Sequence, residues 1–299
     1  MASVALSTKP VGSVVKLNEN GTAVEFVVAC HNYQSGLNGT GRTLLVRKTS
    51  LADKHRWGSV DSTTDLRWGD GSDLKGWLEK TYAARLDEEI RRNIGTTKYY
   101  CNGHGYGDKQ VEGSVFILSA YELSGEKYYA DNSTKLDDAV LRALESGGGS
   151  PWWTRSVWPD SQKEDGSDMQ NWWYTRVCLY GKRASGWSIY ESGFPDADSA
   201  YTATIRPCFT VPGNLRVSED GNLRENRPPK ISCEFPSGGT LGSCSKGFSF
   251  TYAVYDEDAD TMKVTEYVSG IQLRQFNARN GQQETFTLDE KVFGQLAAE

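Results

Sequence analysis

Residues 150–212 read SPWWTRSVWPDSQKEDGSDMQNWWYTRVCLYGKRASGWSIYESGFPDADSAYTATIRPCFTVP, and this stretch decides the fold. It holds six of the nine tryptophans of the chain. Large aromatic side chains bury much apolar area for the entropy they lose, so this density indicates a core without long helices, a recognition surface, or both. Strand-like runs at 172–179 and 200–205 show no helical period. We therefore expect short strands separated by long loops.

The composition is that of a soluble globular protein. Of the 299 residues 37% are hydrophobic and 24% charged, and 31 glycines with 11% aromatic residues favour a β-rich fold. The net charge of -6 argues against sequence-independent binding to nucleic acid, which requires a basic surface. Neither a signal peptide nor an apolar run of about 20 residues is apparent. We therefore expect synthesis in a cytoplasm and no insertion into a membrane.

Periodicity predicts the elements of the first part of the chain. An alternating pattern with Asn20-Gly21 at its turn predicts a hairpin. Apolar residues at three- and four-residue spacing predict a helical region that breaks near 83–86. Its face built on Trp77, Leu78 and Leu86 should pack against the sheet. In chain order, the predictions are a hairpin at 11–29, a strand at 43–48, the helical region at 73–94, a buried strand ending in a turn at 113–124, and an amphipathic helix at 134–146.

The composition changes after residue 212. Residues 213–229 are polar, end in two prolines and read as a linker. Alternating runs then predict strands at 247–255, 262–268, 271–276 and 284–288, which favours an immunoglobulin-like sandwich. A sandwich needs about seven strands. We therefore expect domains at 1–212 and 230–299, the second of them incomplete, so that a longer native chain or another subunit would supply the missing strands.

Five motifs occur in a specific order along the first domain. They are VGSVVKLNENGTAVEFVVA at 11–29, LKGWLEKTYAARLDEEI at 74–90, VFILSAYE at 115–122, WWTRS at 152–156 and IRP at 205–207. This order resembles a family of phage and prophage structural proteins. The resemblance implies an α+β C-type-lectin-like domain, and the region that carries YDEDAD at 255–260 is similar to the immunoglobulin-like domains of such proteins.

The resemblance also implies a function. It points to a virion component of the tail, fibre or baseplate that is assembled in the bacterial cytoplasm and recognises or adheres to the host surface. The implied partners are other virion proteins, a host glycan or protein, and further copies of the chain; an enzyme and a cofactor are not implied. A head decoration or cementing protein that binds only virion subunits is the alternative. Residues 157–199 are longer and richer in tryptophan than the family pattern, so no ligand site is carried over.

Two sets of residues are candidates for defined roles. Paired aromatics followed by arginine indicate core anchors, because tryptophan is usually buried. Flat apolar faces mixed with hydrogen-bonding groups suit a sugar or a protein partner, although packing within loops explains the same pattern. The core set is Trp77, Trp152, Trp153, Arg155 and Arg206, and the ligand-binding set is Trp158, Asp160, Asp168, Trp172, Tyr174, Arg183, Trp187 and Tyr190.

Metal binding and disulfide formation are weaker interpretations. His31, His55 and His104 could bind zinc with Cys30 and Cys101, but their spacing matches no zinc module. The acidic residues of 256–260 could bind calcium, but the run lacks the spacing of a calcium loop and favours a solvated turn. We expect the cysteines to be reduced, with Cys233 and Cys244 as the pair that could bond.

An oxidase-like enzyme on the same fold is a further alternative. Cys178 and Cys208 would have to face an electropositive, accessible pocket. Basic residues lie near them in sequence, but Cys178 alternates with apolar neighbours as a buried strand residue does. These basic residues are Arg176, Lys182, Arg183 and Arg206.

Overall fold

A computed structural model of the chain describes residues 3–58, 68, 72–101, 109–127, 131–157, 177–191, 202–235 and 247–290. The chain divides into two compact units. The large unit contains Ala5–Val217 and Gly221–Glu225, and the small unit contains Met1–Val4, Ser218–Asp220 and Asn226–Glu299. No helix in the described ranges is long and apolar enough to cross a membrane.

The described residues are mostly β-strands in several small sheets, with few helices. The strands are β1 (Val4–Ala5), β2 (Val14–Glu19), β3 (Thr22–His31), β4 (Arg42–Arg47), β5 (Thr97–Cys101), β6 (Lys109–Gly113), β7 (Trp152–Val157), β8 (Val177–Arg183), β9 (Gly186–Glu191), β10 (Cys208–Pro212), β11 (Arg216–Val217), β12 (Leu223–Arg224), β13 (Lys230–Cys233), β14 (Phe248–Tyr255), β15 (Thr261–Val268), β16 (Ile271–Arg279) and β17 (Gln283–Leu288). The helices are α1 (Ser35–Asn38), α2 (Asp73–Trp77), α3 (Glu88–Arg91), α4 (Ala120–Ser124) and α5 (Asp138–Ser146).

A four-stranded antiparallel sheet with the order β10-β4-β3-β2 lies at the centre of the large unit. The predicted hairpin and the strand that follows it are therefore confirmed. Phe26, Val27 and Val28 of β3 are successive residues and all fully buried, so both faces of this strand are covered. On one side Gly12, which lies beside β3, closely approaches Ala139 of α5.

The predicted helical region is also confirmed, including its break. Between α2 and α3 the chain forms a π turn at Leu78–Tyr82 and a 3-10 turn at Ala83–Arg85. The Ser72 hydroxyl caps α2 by accepting from the Lys75 amide. Apolar residues at the predicted spacing are buried, namely Leu74, Leu78, Tyr82, Leu86 and Ile90.

The predicted strand at 113–124 is wrong. β6 ends at Gly113, and Ala120–Ser124 is helix α4. Within the described part of the chain, the buried segment 115–118 makes a single bridge, between Phe116 and Cys208. Ser119 and Glu122 form a capping box, in which each side chain accepts from the backbone of the other residue. This S-x-x-E signal was present in the sequence and identifies the start of the helix.

Helix α5 confirms the predicted amphipathic helix. It begins at the Asp137 cap, whose Oδ1 accepts from Ala139 N at 2.7 Å. It ends at Gly147, where a Cβ atom would approach the Lys48 carbonyl oxygen to 2.2 Å. Only glycine fits at this helix end.

Part of the predicted linker is folded. β11 and β12 pair as a short antiparallel ladder, and Leu215, Val217 and Leu223 are buried in the core of the large unit. The polar composition of 213–229 hides these three apolar residues, which tie the stretch to the large unit.

The described residues of the small unit form two sheets, one with the order β13-β14-β17 and one formed by β15 and β16. The four strands predicted after residue 246 are confirmed as β14 to β17. Its core is small: Tyr252, Val254, Phe286 and Leu288 are buried, with partly buried aromatic and aliphatic side chains around them.

Candidate functional site

The structure describes only part of the predicted ligand-binding set. Trp158, Asp160, Asp168, Trp172 and Tyr174 lie outside the described residues. Arg183 ends β8 and is exposed, Trp187 lies in β9 and is partly buried, and the backbone of Tyr190 belongs to β9.

Arg183 and Trp187 lie at one end of the β7-β8-β9 sheet, and the strand ends next to residues 158–176 and to the stretch after 191 lie at the other. Val157 pairs with Val177, and Cys178 pairs with Glu191, so three strand ends share one end of the sheet. Arg183 pairs with Gly186 at the opposite end. Six residues of β8 separate the two ends, which is roughly 20 Å at about 3.3 Å per residue.

Trp187 takes part in an aromatic cluster. Its ring lies 5.5 Å from that of Trp152 and stacks on that of Tyr180 at 5.7 Å. The Arg206 guanidinium lies 3.7 Å from the centre of the Trp152 ring and donates to the carbonyls of Leu144 and Gly148 at the end of α5. This cluster joins the β7-β8-β9 sheet to α5.

The predicted core set is placed mainly in the interior. Trp152, Trp153, Arg155 and Arg206 are buried, and Trp77 is partly buried against the core. Trp153 Nε1 donates to the His55 carbonyl at 2.7 Å.

Arg155 is the centre of a buried polar network. Its Nη1 donates to Glu122 Oε2 at 2.7 Å and its Nη2 to Ser133 Oγ at 3.2 Å. Its Nε donates to the Tyr100 carbonyl at 2.7 Å, while Tyr33 Oη donates to the other Glu122 oxygen at 2.6 Å. Although burial opposes it, the Glu122 carboxylate raises the pKa of Arg155 well above its usual value.

Asp131 adds a second carboxylate beside this network. Its Oδ1 accepts from Ser133 N at 2.9 Å, but its buried Oδ2 has no hydrogen-bond partner among the described residues. Burial raises the pKa of Asp131, and the positive charge of Arg155 partly offsets this effect.

A cleft of about 640 Å³ lies beside the network, lined by residues of 29–37 and 132–137 together with Val11 and Tyr100. Its volume is that of a small-molecule site, for which roughly 300–1,000 Å³ is typical. Arg155 bonds directly to the backbone of Tyr100 and to Ser133, and reaches Tyr33 through Glu122. The buried ion pair therefore holds three parts of the cleft wall in place.

Sequence reasoning missed this cleft. Its two main walls are about a hundred residues apart, and neither carries a motif. The one available signal was the polar, turn-forming run Asn32-Tyr33-Gln34-Ser35-Gly36 directly after a buried strand.

Four titratable side chains of the cleft already have structural partners. His31 bonds through both ring nitrogens, to Thr43 Oγ1 and to the Lys9 carbonyl, each at 2.9 Å. The Cys30 thiol donates to the His31 carbonyl, and burial raises its pKa, so it is held as the neutral thiol. Lys135 pairs with Asp138, and the Asp137 carboxylate caps α5.

The candidate zinc ligands have other surroundings. His55 packs its ring 3.8 Å from that of Trp77, burial lowers its pKa, and its Nε2 has no partner in the described structure. Cys101 is buried, and His104 lies outside the described residues. Within the described ranges, no group of three or more His, Cys, Asp or Glu side chains is arranged to hold a metal ion.

The acidic residues of 256–260 surround a structural carboxylate. Asp258 is buried, and its oxygens accept from Ser3 Oγ at 2.8 Å and Arg227 N at 3.0 Å. Glu257 is exposed and pairs with the Arg227 side chain. Protein donors thus bind both carboxylate oxygens of Asp258.

The candidate redox cysteines are buried. Cys178 lies in β8 and Cys208 in β10, in different sheets. Burial raises the pKa of Cys208 well above its usual value. Cys233 is a free thiol, and Cys244 lies outside the described residues.

Comparisons with known proteins place the chain in a family. No curated protein and no solved structure matches it. Residues 40–213, more than half of the chain, match the family described as Domain of unknown function (DUF6273). This range includes β4, the WWTRS strand, β10, and the Arg155 and Glu122 side chains of the buried network. The chain therefore belongs to the DUF6273 family.

Proposed function

We propose that the chain is a non-catalytic recognition protein of a phage particle, located in its tail, fibre or baseplate. Its large unit would be a C-type-lectin-like domain that contacts the host surface, and its small unit an immunoglobulin-like module. The order of the five sequence motifs supports the virion assignment, and the WWTRS and IRP motifs contribute the buried residues Trp152, Trp153, Arg155 and Arg206.

One observation carries the recognition role. The cleft has the volume of a binding site, yet its Cys30, His31, Lys135 and Asp137 are already engaged in structural contacts. A nucleophile or general base needs a free, suitably ionised group. A cleft with these four groups so engaged, and with the buried Arg155–Glu122 pair beside it, is suited to binding.

Many copies on one particle would multiply a weak affinity, because linked sites gain from effective concentration. A single site then needs only a modest affinity. We therefore expect binding to be measurable when the chain is multimeric and weak when it is a monomer.

The experiment has two parts. First, antibodies against the chain are applied to purified particles of the phage that encodes it, and labelling at the tail or baseplate is expected. Second, beads carrying many copies of the full chain are incubated with cell-envelope preparations from a panel of bacteria. Retention of at least one envelope is expected, with at least a tenfold loss for Tyr100→Ala in the cleft and none for Arg279→Ala in the small unit.

Each part can contradict the proposal separately. Particles that carry no label would refute the virion assignment. Labelled particles with no envelope retained by the beads would refute host recognition and favour a head decoration or cementing protein that binds only virion subunits.

A further inference from the structure

We infer that the cleft of the large unit takes a neutral, hydroxyl-rich ligand of the saccharide class, and that Gln34 determines its specificity. This inference rests on the proposed recognition function and names the ligand class of the same cleft. It follows from three features of the cleft: its uncommitted polar groups, its aromatic wall and the backbone conformation of Gln34.

The uncommitted polar groups are neutral. Gln34, Ser35, Asn132 and Thr134 line the cleft, and their side chains have no hydrogen-bond partner among the described residues. Amides and hydroxyls both donate and accept, which matches the hydroxyl groups of a sugar. An apolar ligand would strip water from these groups without replacing their hydrogen bonds, and this is unfavourable.

The charged groups of the cleft do not favour an ionic ligand. The Lys135 ammonium lies 2.9 Å from Asp138 Oδ1, and Asp137 Oδ1 lies 2.7 Å from the Ala139 amide nitrogen. Lys135 and Asp137 carry opposite charges, so these two groups together give the cleft wall no net charge that would select an anion or a cation. Selection for an ion normally needs an unmatched charge of the opposite sign.

Tyr100 provides an aromatic wall in a fixed position. It is half-buried in β5, and its carbonyl accepts from Arg155 Nε at 2.7 Å. Arg155 also donates one hydrogen bond, from Nη2 to Ser133 Oγ, and so ties the 132–137 segment to the same side chain. A flat aromatic face with polar groups around it accommodates the apolar face of a sugar ring.

Gln34 has a backbone conformation that is unfavourable for its residue type. Its φ is 48° and its ψ 53°, the left-handed region that disfavours residues other than glycine. Three other residues besides glycine have positive φ in the described ranges. Asn20 and Ser269 each precede a glycine in a hairpin turn, where the conformation is expected. Asn32 lies in the same cleft segment, but asparagine visits this region far more readily than glutamine does. Backbone strain of this kind is typically retained at functional sites.

The test uses the variant Gln34→Gly in the full chain. Glycine adopts the left-handed conformation without strain and removes only the side chain, so the variant should unfold at the same or a higher temperature than the parent. Asn20→Gly is the matched control, since it makes the same kind of change in the β2–β3 turn, outside the cleft.

The probes are two neutral trisaccharides, maltotriose and the N-acetylglucosamine trimer, and two charged ones, the glucosamine trimer and trigalacturonate. Binding is measured by saturation-transfer NMR and isothermal titration calorimetry. We expect a neutral trisaccharide to bind at least tenfold more tightly than its charged counterparts. Gln34→Gly should weaken that binding at least tenfold, and Asn20→Gly should leave it unchanged.

Three results would overturn the inference: no binding of either neutral trisaccharide, equal or tighter binding of a charged one, or unchanged binding by Gln34→Gly. The envelope assay separates this failure from that of the proposed function. Envelopes retained by a chain that binds no neutral trisaccharide would mean that recognition stands and the ligand class is wrong. Neutral sugar binding without envelope retention would support the ligand class and refute the host-recognition role.

Discussion

Arg155 Nη1 donates a hydrogen bond of 2.7 Å to Glu122 Oε2, and neither side chain has any exposed surface. The pair joins β7 to α4, because Arg155 belongs to the WWTRS motif and Glu122 to the capping box of that helix. Water cannot replace either partner at this depth, so the two charges depend on each other.

Replacing Arg155 alone should therefore be severe. We expect Arg155→Leu to lower the free energy of unfolding by about 3–5 kcal/mol, because it leaves the Glu122 carboxylate buried without its counterion. Urea denaturation of the full chain measures this. Arg227→Leu breaks an ion pair whose side chains are 57% and 52% exposed, and it should cost less than about 1 kcal/mol. Similar losses in the two variants would show that the Arg155 pair stabilises no more than a surface contact.

Asp131 predicts a pH dependence of stability. Burial raises the pKa of its carboxyl group in the folded chain, so folding favours the protonated form. This contribution is complete below the unfolded pKa of about 3.9 and is lost as the pH rises through the raised folded pKa. Asp131→Asn imitates the protonated form and keeps an oxygen for Ser133 N. We expect it to be more stable than the parent at pH 7, with a difference that shrinks in acid.

Asp138 provides a control of opposite sign. The hydrogen bond and charge of Lys135 lower the pKa of the Asp138 carboxyl group, so the charged form stabilises the fold. Asp138→Asn should therefore be less stable than the parent at pH 7. Chemical denaturation between pH 3 and pH 8 compares the three proteins. A difference between Asp131→Asn and the parent that does not change with pH would contradict the prediction.

Two glycines with positive φ allow the stability cost of backbone strain to be distinguished from that of steric overlap. Gly12 has a φ of 86°, and a Cβ atom there would lie 2.8 Å from Ala139 Cβ. Gly21 has a φ of 76° and no atom near the same position. Alanine at either site has the unfavourable left-handed conformation, but at Gly12 it also pushes α5 away from the central sheet. Thermal unfolding should show Gly12→Ala to be less stable than Gly21→Ala by about 1–3 kcal/mol. Equal stabilities would mean that α5 shifts at no cost.

Cysteine labelling tests the interior position of the candidate redox pair. Because Cys178 and Cys208 are buried and burial raises the pKa of Cys208, neither should react with iodoacetamide in the folded chain. Cys233 is partly exposed and should react. Peptide mass spectrometry before and after unfolding in urea measures the modification at each site. Rapid labelling of Cys208 in the folded protein would favour the oxidase-like alternative.

Local patterns in the sequence predict most of the elements. The alternation that marks β14 to β17 and the spacing that buries Leu74, Leu78 and Tyr82 depend only on neighbouring residues. The error at 113–124 has a physical reason. A short apolar run such as 115–118 has no period that separates a strand from other buried segments, and only the Ser119–Glu122 cap indicates the helix after it.

The candidate site could not be predicted from local sequence patterns. Residues 29–37 and 132–137 become neighbours through the packing of α5 beside β3 and through the hydrogen bonds of the Arg155–Glu122 pair. These contacts join residues far apart in the sequence, and no local pattern predicts them. The aromatic density that indicates a recognition surface also has another origin. Trp152 and Trp187 pack with Tyr180 in the aromatic cluster that joins the β7-β8-β9 sheet to α5. The high aromatic content of residues 150–212 therefore reflects packing in part.

The shared end of the β7-β8-β9 sheet has a consequence for sequence variation. Val157, Val177 and Glu191 are the strand ends that border residues 158–176 and the stretch after 191. Length and composition can therefore diverge at these junctions while the ladder of backbone hydrogen bonds stays intact. An insertion made directly at one of these three residues would leave every described strand pairing of the sheet available.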